Sequence, residues 1–440
     1  MKDKVSKYNI EVEYSNCMLL YNGLTNALLP VSHKEYAIIS TFMDYLSEFE
    51  NKFPDLYASF KRSGFIIDSN FDELAYIKLQ NKKRVFAHNN YHITINPTLE
   101  CNLKCWYCSV DYAGAKHTRE RMSDETINAL IKHIDDLITT QKASSILLDW
   151  FGGEPLMYFD EVIEKVSEQA LRISAEHGVK CYQQITTNGT LLNKERILKM
   201  NDANFRFFQI SMDGSERRHN QIKFYHDKTP TYRTVIENVN MIADLMPNTV
   251  VNLRINYDKQ TLKSICDIIN DLSENSKKRV RFDFQRVWQV PFDKKVGQYL
   301  IDVKKEFQQA GFKSDYWAYK PLRFFRCYAD NFHHYVINYN GKVFKCSARD
   351  YGDNLVIGNL LPSGKIEWNE DILSKYFNKA TFENERCETC KMLPLCMGPC
   401  IQKCYETRER NEKNVCLYDN VEISLSNYVI EIAKQKNLVL

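Results

Sequence analysis

The chain has no excess of either charge sign. Lys and Arg number 59 against 56 Asp and Glu, a net charge of +3. That balance supplies neither the basic field of a nucleic-acid coat protein nor that of a polybasic membrane binder. No stretch reaches the ~18 consecutive apolar residues of a membrane span. The N-terminal MKDKVSKYNIEVEYSN lacks the apolar run of a secretory signal, so a cytoplasmic protein is expected, with no membrane and no nucleic-acid partner. There is no internal repeat and no low-complexity tract. What is present, 44% hydrophobic and 26% charged residues in 440 positions, allows packed cores in about three domains.

Cysteine is the abundant residue that matters. Of fourteen, three fall between Cys101 and Cys108 and eight between Cys327 and Cys416. Clustered cysteines in a reducing compartment read as metal sites rather than disulfides. Cys17, Cys181 and Cys266 are scattered and read as small buried hydrophobes.

Three regions differ in pattern. Residues 1–85 form a small module: alternation at Ile10, Val12 and Tyr14 predicts a strand, Cys17 to Tyr21 a second and Ala27 to Val31 a third. Asn22-Gly23 is the expected hairpin turn. Ser32 with Glu35 is a capping box opening a helix whose apolar face is Tyr36, Ile39, Phe42, Met43 and Leu46. A second helix is expected from Pro54 to Gly64, which makes the module winged-helix-like.

Residues 90–310 alternate strands with amphipathic helices. Strands are predicted at 91–96, 145–151, 182–187, 205–211, 250–256 and 280–287. The helix at 124–140 carries Ser123 as its cap and Ile127, Leu130, Ile131, Ile134, Leu137 and Ile138 on one face. This is an α/β pattern with a parallel sheet, and six units are fewer than the eight of a full barrel. Residues 315–440 hold most of the cysteines and one clear hairpin, 335–345, turning at Asn340-Gly341. Such a segment folds around bound metal more than around a large core.

Two constellations carry chemistry. In Cys101-x3-Cys105-x2-Cys108, directly after the first barrel strand, three thiolates can each ligate one iron of a cubane cluster and leave the fourth iron open. The competing reading is zinc with His117 as fourth ligand. In the second, Cys327 and Cys346 precede Cys387-x2-Cys390-x5-Cys396-x3-Cys400 and Cys416, with a zinc ribbon as the competing reading. The histidines show no ligand spacing, although His333-His334 lies near Cys327.

The first motif, with aromatic Tyr107 before its last cysteine, resembles the signature of the radical S-adenosylmethionine (radical SAM) superfamily. Supporting motifs follow in the family's order: Gly152-Gly153-Glu154-Pro155, Thr187-Asn188-Gly189 and Ser211-Met212-Asp213-Gly214 end successive strands, and Arg254 lies in the fifth. The resemblance implies S-adenosyl-L-methionine as cofactor, contacted by Gly152, Gly153, Glu154, Asn188, Ser211 and Arg254. The C-terminal pattern resembles the SPASM extension. By that likeness Cys327, Cys346 and Cys400 hold one auxiliary [4Fe–4S] cluster, and Cys387, Cys390, Cys396 and Cys416 a second. With the cluster of Cys101, Cys105 and Cys108 that makes three. The first auxiliary cluster then has either an open fourth iron or Cys404, four residues beyond Cys400, as its fourth ligand.

The N-terminal module resembles the peptide-recognition element of maturases of ribosomally synthesised peptides. The resemblance implies a partial (β/α)6 TIM-type barrel between that module and an iron–sulfur SPASM domain. It implies an oxidoreductase that modifies a precursor peptide by 5′-deoxyadenosyl-radical hydrogen abstraction, forming a crosslink, an epimer or an oxidised residue. Its partners would be the peptide, whose leader binds residues 1–85, and an electron donor such as flavodoxin or ferredoxin. No protein side chain is assigned a catalytic role. The alternatives are an anaerobic sulfatase-maturating enzyme, which needs a base in register after Cys346 where Ser347 stands and Asp350 lies near, and an iron–sulfur DNA-binding regulator.

Overall fold

The structure is a computed structural model that describes residues 3–87, 89–108, 110, 120–316, 327–349, 351–409 and 416–439. His117 and Asp350 lie outside these residues. The chain divides into two compact units. One comprises Met1–Val85, Ala318–Cys327 and Asn378–Leu440, the other Phe86–Trp317 and Tyr328–Phe377.

In the first unit, β1 (Asp3–Val5) pairs antiparallel with β5 (Ile66–Asp68), while β2 (Asn9–Tyr14), β3 (Cys17–Asn22) and β4 (Ala27–Ser32) form an antiparallel meander. Alternation along β2 buries Ile10 and Val12 and exposes Glu11 and Glu13, the period-2 pattern of a half-buried strand. One face, with Ile10, Val12, Leu19 and Tyr21, packs on Tyr428, Val429 and Ile432 of the helix Leu425–Gln435. The other, with Leu20 and Val31, packs on Ile39, Phe49, Tyr57 and Phe60.

The capping box closes as expected: Glu35 N–H donates to Ser32 Oγ at 3.2 Å and Ser32 N–H to Glu35 Oε2 at 2.8 Å, opening the helix His33–Met43. A further helix, Leu46–Lys52, precedes the expected one, Pro54–Arg62.

The β3–β4 turn differs from expectation. Asn22 pairs with Ala27 across a loop of residues 23–26, and the left-handed residue is Asn26 at φ 63°. Asn22 is instead a buried hub. Its amide offers hydrogen to Ser6 Oγ, Asn9 Oδ1 and Gly64 O at 2.7–3.0 Å, and its oxygen accepts from the N–H groups of Leu24 and Thr25 and from Thr25 Oγ1. Those bonds fix the four-residue loop and tie it to the end of the Pro54–Arg62 helix, which a two-residue turn could not do.

The second unit is built on an eleven-stranded sheet. Its strands are β6 (Asn90–Ile95), β8 (Ser145–Trp150), β9 (Lys180–Thr187), β10 (Phe205–Met212), β12 (Val250–Tyr257), β13 (Val280–Arg286), β14 (Lys313–Tyr316), β15 (His334–Ile337), β16 (Lys342–Phe344), β17 (Val356–Leu360) and β18 (Ile366–Trp368). The order is β14-β13-β12-β10-β9-β8-β6-β15-β16-β17-β18. All pairings from β14 through β15 are parallel, and those from β15 to β18 antiparallel.

Each expected barrel strand is present, in sequence order, because a helix crosses back between successive strands. The helix Asp124–Thr139, capped by Ser123, buries Ile127, Leu130, Ile134, Leu137 and Ile138. The sheet stays open, matching an α/β fold of partial-barrel type. It is also larger than six strands. β14 adds to one side, and β15 lies parallel to β6 in the register His334↔His92, so the 335–345 hairpin, turning at Gly341 (φ +78°), continues the barrel's own sheet. Among the described residues no helix is long and apolar enough to cross a membrane.

One close approach positions everything downstream. Beyond β8, Gly152 takes φ +116°, and a Cβ there would sit 2.3 Å from Thr98 O; at Gly153 it would sit 2.1 Å from Glu100 O. Bare backbone is required because the segment lies hard against the loop that leaves β6. Gly153 N–H donates to Thr98 O at 3.1 Å and Glu154 N–H to Glu100 O at 2.8 Å.

Three outcomes follow for urea unfolding. Gly153→Ala should cost about 3 kcal/mol through overpacking against backbone that cannot rotate away. Gly23→Ala, whose Cβ meets nothing nearer than 3.7 Å, should cost under about 1 kcal/mol. Asn22→Ala, which strands several buried donors and acceptors, should cost about 3 kcal/mol.

Candidate functional site

The three-cysteine loop is held on both sides. Gly152 to Glu154 line one side, and a two-stranded antiparallel ribbon of β7 (Leu103–Lys104) and β11 (Phe224–Tyr225) secures the other. His226 Nε2 lies 3.3 Å from Cys101 O. The Cys101 sulfur accepts from Leu103 N–H at 3.5 Å and from the Asn188 amide at 3.8 Å, and Cys108 N–H closes a turn on Cys105 O at 3.1 Å.

No cysteine among the described residues is in a disulfide. Burial pushes the Cys101 thiol up to about 12, and the Cys105 thiol further up; neighbouring Cys101 and Cys108 add to the rise at Cys105. Buried in this way, the Cys101 and Cys105 thiols become good thiolates only when a cation takes their protons' place. Among the described residues no three His, Cys, Asp or Glu side chains converge tightly enough for one metal ion. A polynuclear iron–sulfur centre, one iron per cysteine, fits this donor set.

The neighbouring strand ends are wired together. Glu154 is fully buried. Its Oε1 accepts from Thr187 Oγ1 at 2.7 Å and Leu156 N–H at 3.0 Å, and its Oε2 from Asn188 N–H at 2.8 Å. Burial raises its pKa, and these hydrogen bonds oppose the rise. The resemblance implies an ammonium for this carboxylate; in the structure its hydrogen bonds join the ends of β8 and β9. The Asn188 amide also donates to Asn102 Oδ1 at 2.8 Å, so the end of β9 reaches the cysteine loop directly.

Ser211, next to last in β10, lies opposite Arg254 of β12 in the sheet register. Arg254 Nε donates to Asn256 Oδ1 at 3.2 Å. The six residues expected to contact the cofactor thus lie at or near the ends of β8, β9, β10 and β12, around the cysteine loop.

Sequence reasoning missed the group that anchors the loop's far end. Lys223 is 3% exposed and Asp213 fully buried. Lys223 Nζ lies 3.5 Å from Asp213 Oδ2, donates to Ser211 O at 3.1 Å and also bonds Ser211 Oγ. Asp213 Oδ1 accepts from Tyr107 Oη at 2.6 Å, and Asn256 donates to that same hydroxyl at 3.1 Å. Burial raises the Asp213 pKa against the opposing pull of Lys223, and burial with Asp213 nearby holds Tyr107 protonated. The one signal available was a lysine set among apolar Ile222, Phe224 and Tyr225.

In the first unit, Cys387, Cys390, Cys396 and Cys416 come together. Burial pushes Cys396 up to about 12, and Cys416, Cys387 and Cys390 push it the same way. Met392 N–H donates to Cys390 Sγ at 3.3 Å and Tyr418 N–H to Cys416 Sγ at 3.4 Å. Such N–H···S contacts suit sulfur that carries charge. Cys400 and Cys404 share the helical turn that follows, and the Cys404 thiol faces Thr381 O at 3.5 Å. Cys327 belongs to this unit as well, and Cys346, directly beyond β16, to the other.

Residues 95–272 match the radical SAM superfamily. Over 148 residues the chain is 30% identical to the serine-type anaerobic sulfatase-maturating enzyme of Bacteroides thetaiotaomicron, which covers 32% of this chain and 34% of that protein. The match therefore spans about a third of that relative's length. Among solved structures, anSMEcpe with bound AdoMet superposes with a TM-score of 0.57 at 18% identity, covering 79% of this chain and 98% of that one. SuiB of Streptococcus suis, solved with the precursor peptide SuiA, gives 0.52 at 16% identity, covering 94% of this chain and 98% of that one. Both likenesses are of fold. The matched stretch is the one that carries the cysteine loop and the strand ends around it, and over that stretch the chain is similar to the radical SAM superfamily.

Proposed function

We propose that this enzyme modifies a ribosomally synthesised precursor peptide, using S-adenosyl-L-methionine and three [4Fe–4S] clusters. The observation that carries the reading is the gathering of Cys101, Cys105 and Cys108 with Gly152–Glu154, Asn188, Ser211 and Arg254 at neighbouring parallel strand ends. When bound, the cofactors supply a carbon-centred radical able to take hydrogen from an unactivated carbon.

The chain's own part is to bind, orient and shield. Cys101, Cys105 and Cys108 hold the active-site cluster, with the Asn188 amide directed at Cys101. The Arg254 guanidinium suits the cofactor's carboxylate. Tyr107, Asp213 and Lys223 keep the loop from shifting. Cys387, Cys390, Cys396 and Cys416 form one auxiliary set, and Cys327, Cys346 and Cys400 the other. Residues 1–85 are the peptide-recognition module, 90–310 the partial barrel and 315–440 the SPASM segment. A one-electron donor completes the system in the reducing cytoplasm.

Likeness to SuiB along 94% of the chain, against 79% for anSMEcpe, supports a peptide maturase with an N-terminal module. Formylglycine formation on a sulfatase is the second reading, favoured by the 30% identity to a sulfatase-maturating enzyme.

The edge of β4 says how a leader peptide would add. Ser32 N–H donates to Glu35 and so points away from β3. By strand parity Pro30 and Leu28 point the same way. Proline has no N–H, which leaves the Leu28 N–H and the carbonyls of Leu28 and Pro30 for an added strand.

Replacing Cys101, Cys105 and Cys108 together by Ala should remove about four irons per chain, one cubane. It should also abolish 5′-deoxyadenosine formation; if the triple variant still made that product, the assignment of the site would fail. Leu28→Pro is tolerable on an edge strand and removes the remaining outward donor. It should weaken precursor-peptide binding about tenfold, the worth of one hydrogen bond, in fluorescence anisotropy. S-adenosylmethionine cleavage without peptide should be unchanged.

A further inference from the structure

The cysteine loop also reaches the surface. Trp106, between Cys105 and Cys108, is 53% exposed, while adjoining Tyr107 is bonded inward to Asp213. The Trp106 ring meets Tyr107 edge-on, with centroids 5.6 Å apart. Beside it runs the ribbon of β7 and β11. Lys104, exposed, pairs with Phe224, and Lys228, also exposed, stands over the Phe224 ring with its Nζ 4.1 Å from the centroid. One lysine thereby stands on the Phe224 ring and another is its cross-strand partner, two positions before the exposed Trp106. The nearby carboxylate, Asp227, accepts from Thr229 N–H at 2.9 Å and serves its own turn. An exposed aromatic flanked by lysines that outnumber the neighbouring aspartate, Asp227, has the composition of a transient protein interface.

We propose that Lys104, Trp106, Phe224 and Lys228 form the docking face for an acidic one-electron carrier protein. The proposal rests on the radical SAM reading of the cysteine loop. Charge complementarity selects the partner: carboxylates on the carrier meet Lys104 and Lys228, and its redox group comes to rest against Trp106, beside two of the three ligand cysteines. One electron leaves the carrier's reduced flavin and enters the centre held by Cys101, Cys105 and Cys108. No atom or proton crosses the interface. Such contacts are small, fast and screened by salt.

The test uses the reconstituted full-length enzyme with flavodoxin as probe and needs no peptide. Binding of oxidised flavodoxin is read by fluorescence anisotropy. Peptide-free 5′-deoxyadenosine formation is read twice, driven by photoreduced flavodoxin and by dithionite, which needs no docking. Lys228→Glu should weaken flavodoxin binding and slow flavodoxin-driven cleavage about tenfold, equivalent to about 1.4 kcal/mol, with dithionite-driven cleavage unchanged. Adding Lys104→Gln should deepen the flavodoxin-specific loss, and raising salt in the unsubstituted enzyme should mimic it.

Equal flavodoxin affinity and rate in the variants would overturn the proposal. So would equal loss with both reductants, which would assign the lysines to the fold of the loop. Absence of dithionite-driven cleavage in the unsubstituted enzyme would instead sink the radical SAM reading itself, a separate and recognisable failure.

Discussion

The second unit depends on a backbone-to-backbone contact: Gly152 and Gly153 lie against the carbonyls of Thr98 and Glu100 with no room for a side chain. This contact joins the segment beyond β8 to the loop that leaves β6 and carries the three cysteines. Because Glu154 follows at once, its carboxylate arrives where it can bond Thr187 and Asn188, and the end of β9 is drawn in. Asn188 then reaches Cys101 and Asn102. The glycines thus serve first to admit the cysteine loop, and the binding geometry is inherited from that fit. A motif that reads as ligand contact in sequence is, in structure, also a strand-to-loop weld.

At the other end of the loop the tie is electrostatic. Burying Lys223 and Asp213 together carries a desolvation penalty of several kcal/mol per ion that mutual attraction offsets only with good geometry and further hydrogen bonds. The further hydrogen bonds are present: Lys223 has Ser211 as a second partner, and Asp213 has Tyr107. An apolar pair could supply comparable stability, but it could not hold the Tyr107 hydroxyl or orient Ser211. The penalty is accepted for position.

Much of this was legible in the sequence, and the exceptions share a cause. The six barrel strands and the helix Asp124–Thr139 were readable because each carries a complete local period of apolar residues. The Ser32–Glu35 box was readable because capping is local chemistry. β14, with the sequence Lys-Ser-Asp-Tyr, carries no such period and is a strand only because β13 lies beside it. β15 was expected as a hairpin arm, yet its parallel pairing with β6 spans some 240 positions and leaves no local trace. Asn22 looked like a turn residue and is a buried hub, because its partners at Ser6, Asn9 and Gly64 are set by the tertiary fold. Lys223 was missed for the same reason: a buried charge is recognised by its partners, and Asp213 and Ser211 lie ten and twelve positions away on another element.

The free edge of β4 has a consequence for how the protein behaves at high concentration. An open strand edge is a template for joining any other strand, including the same edge on a second molecule. Here Pro30 withholds one donor and the Ser32–Glu35 cap occupies another. Two copies meeting edge to edge would find too few bonds to zip together. The sparse ladder guards the module against aggregation, so an engineered Pro30→Val would gain a donor at the risk of fibrous self-association.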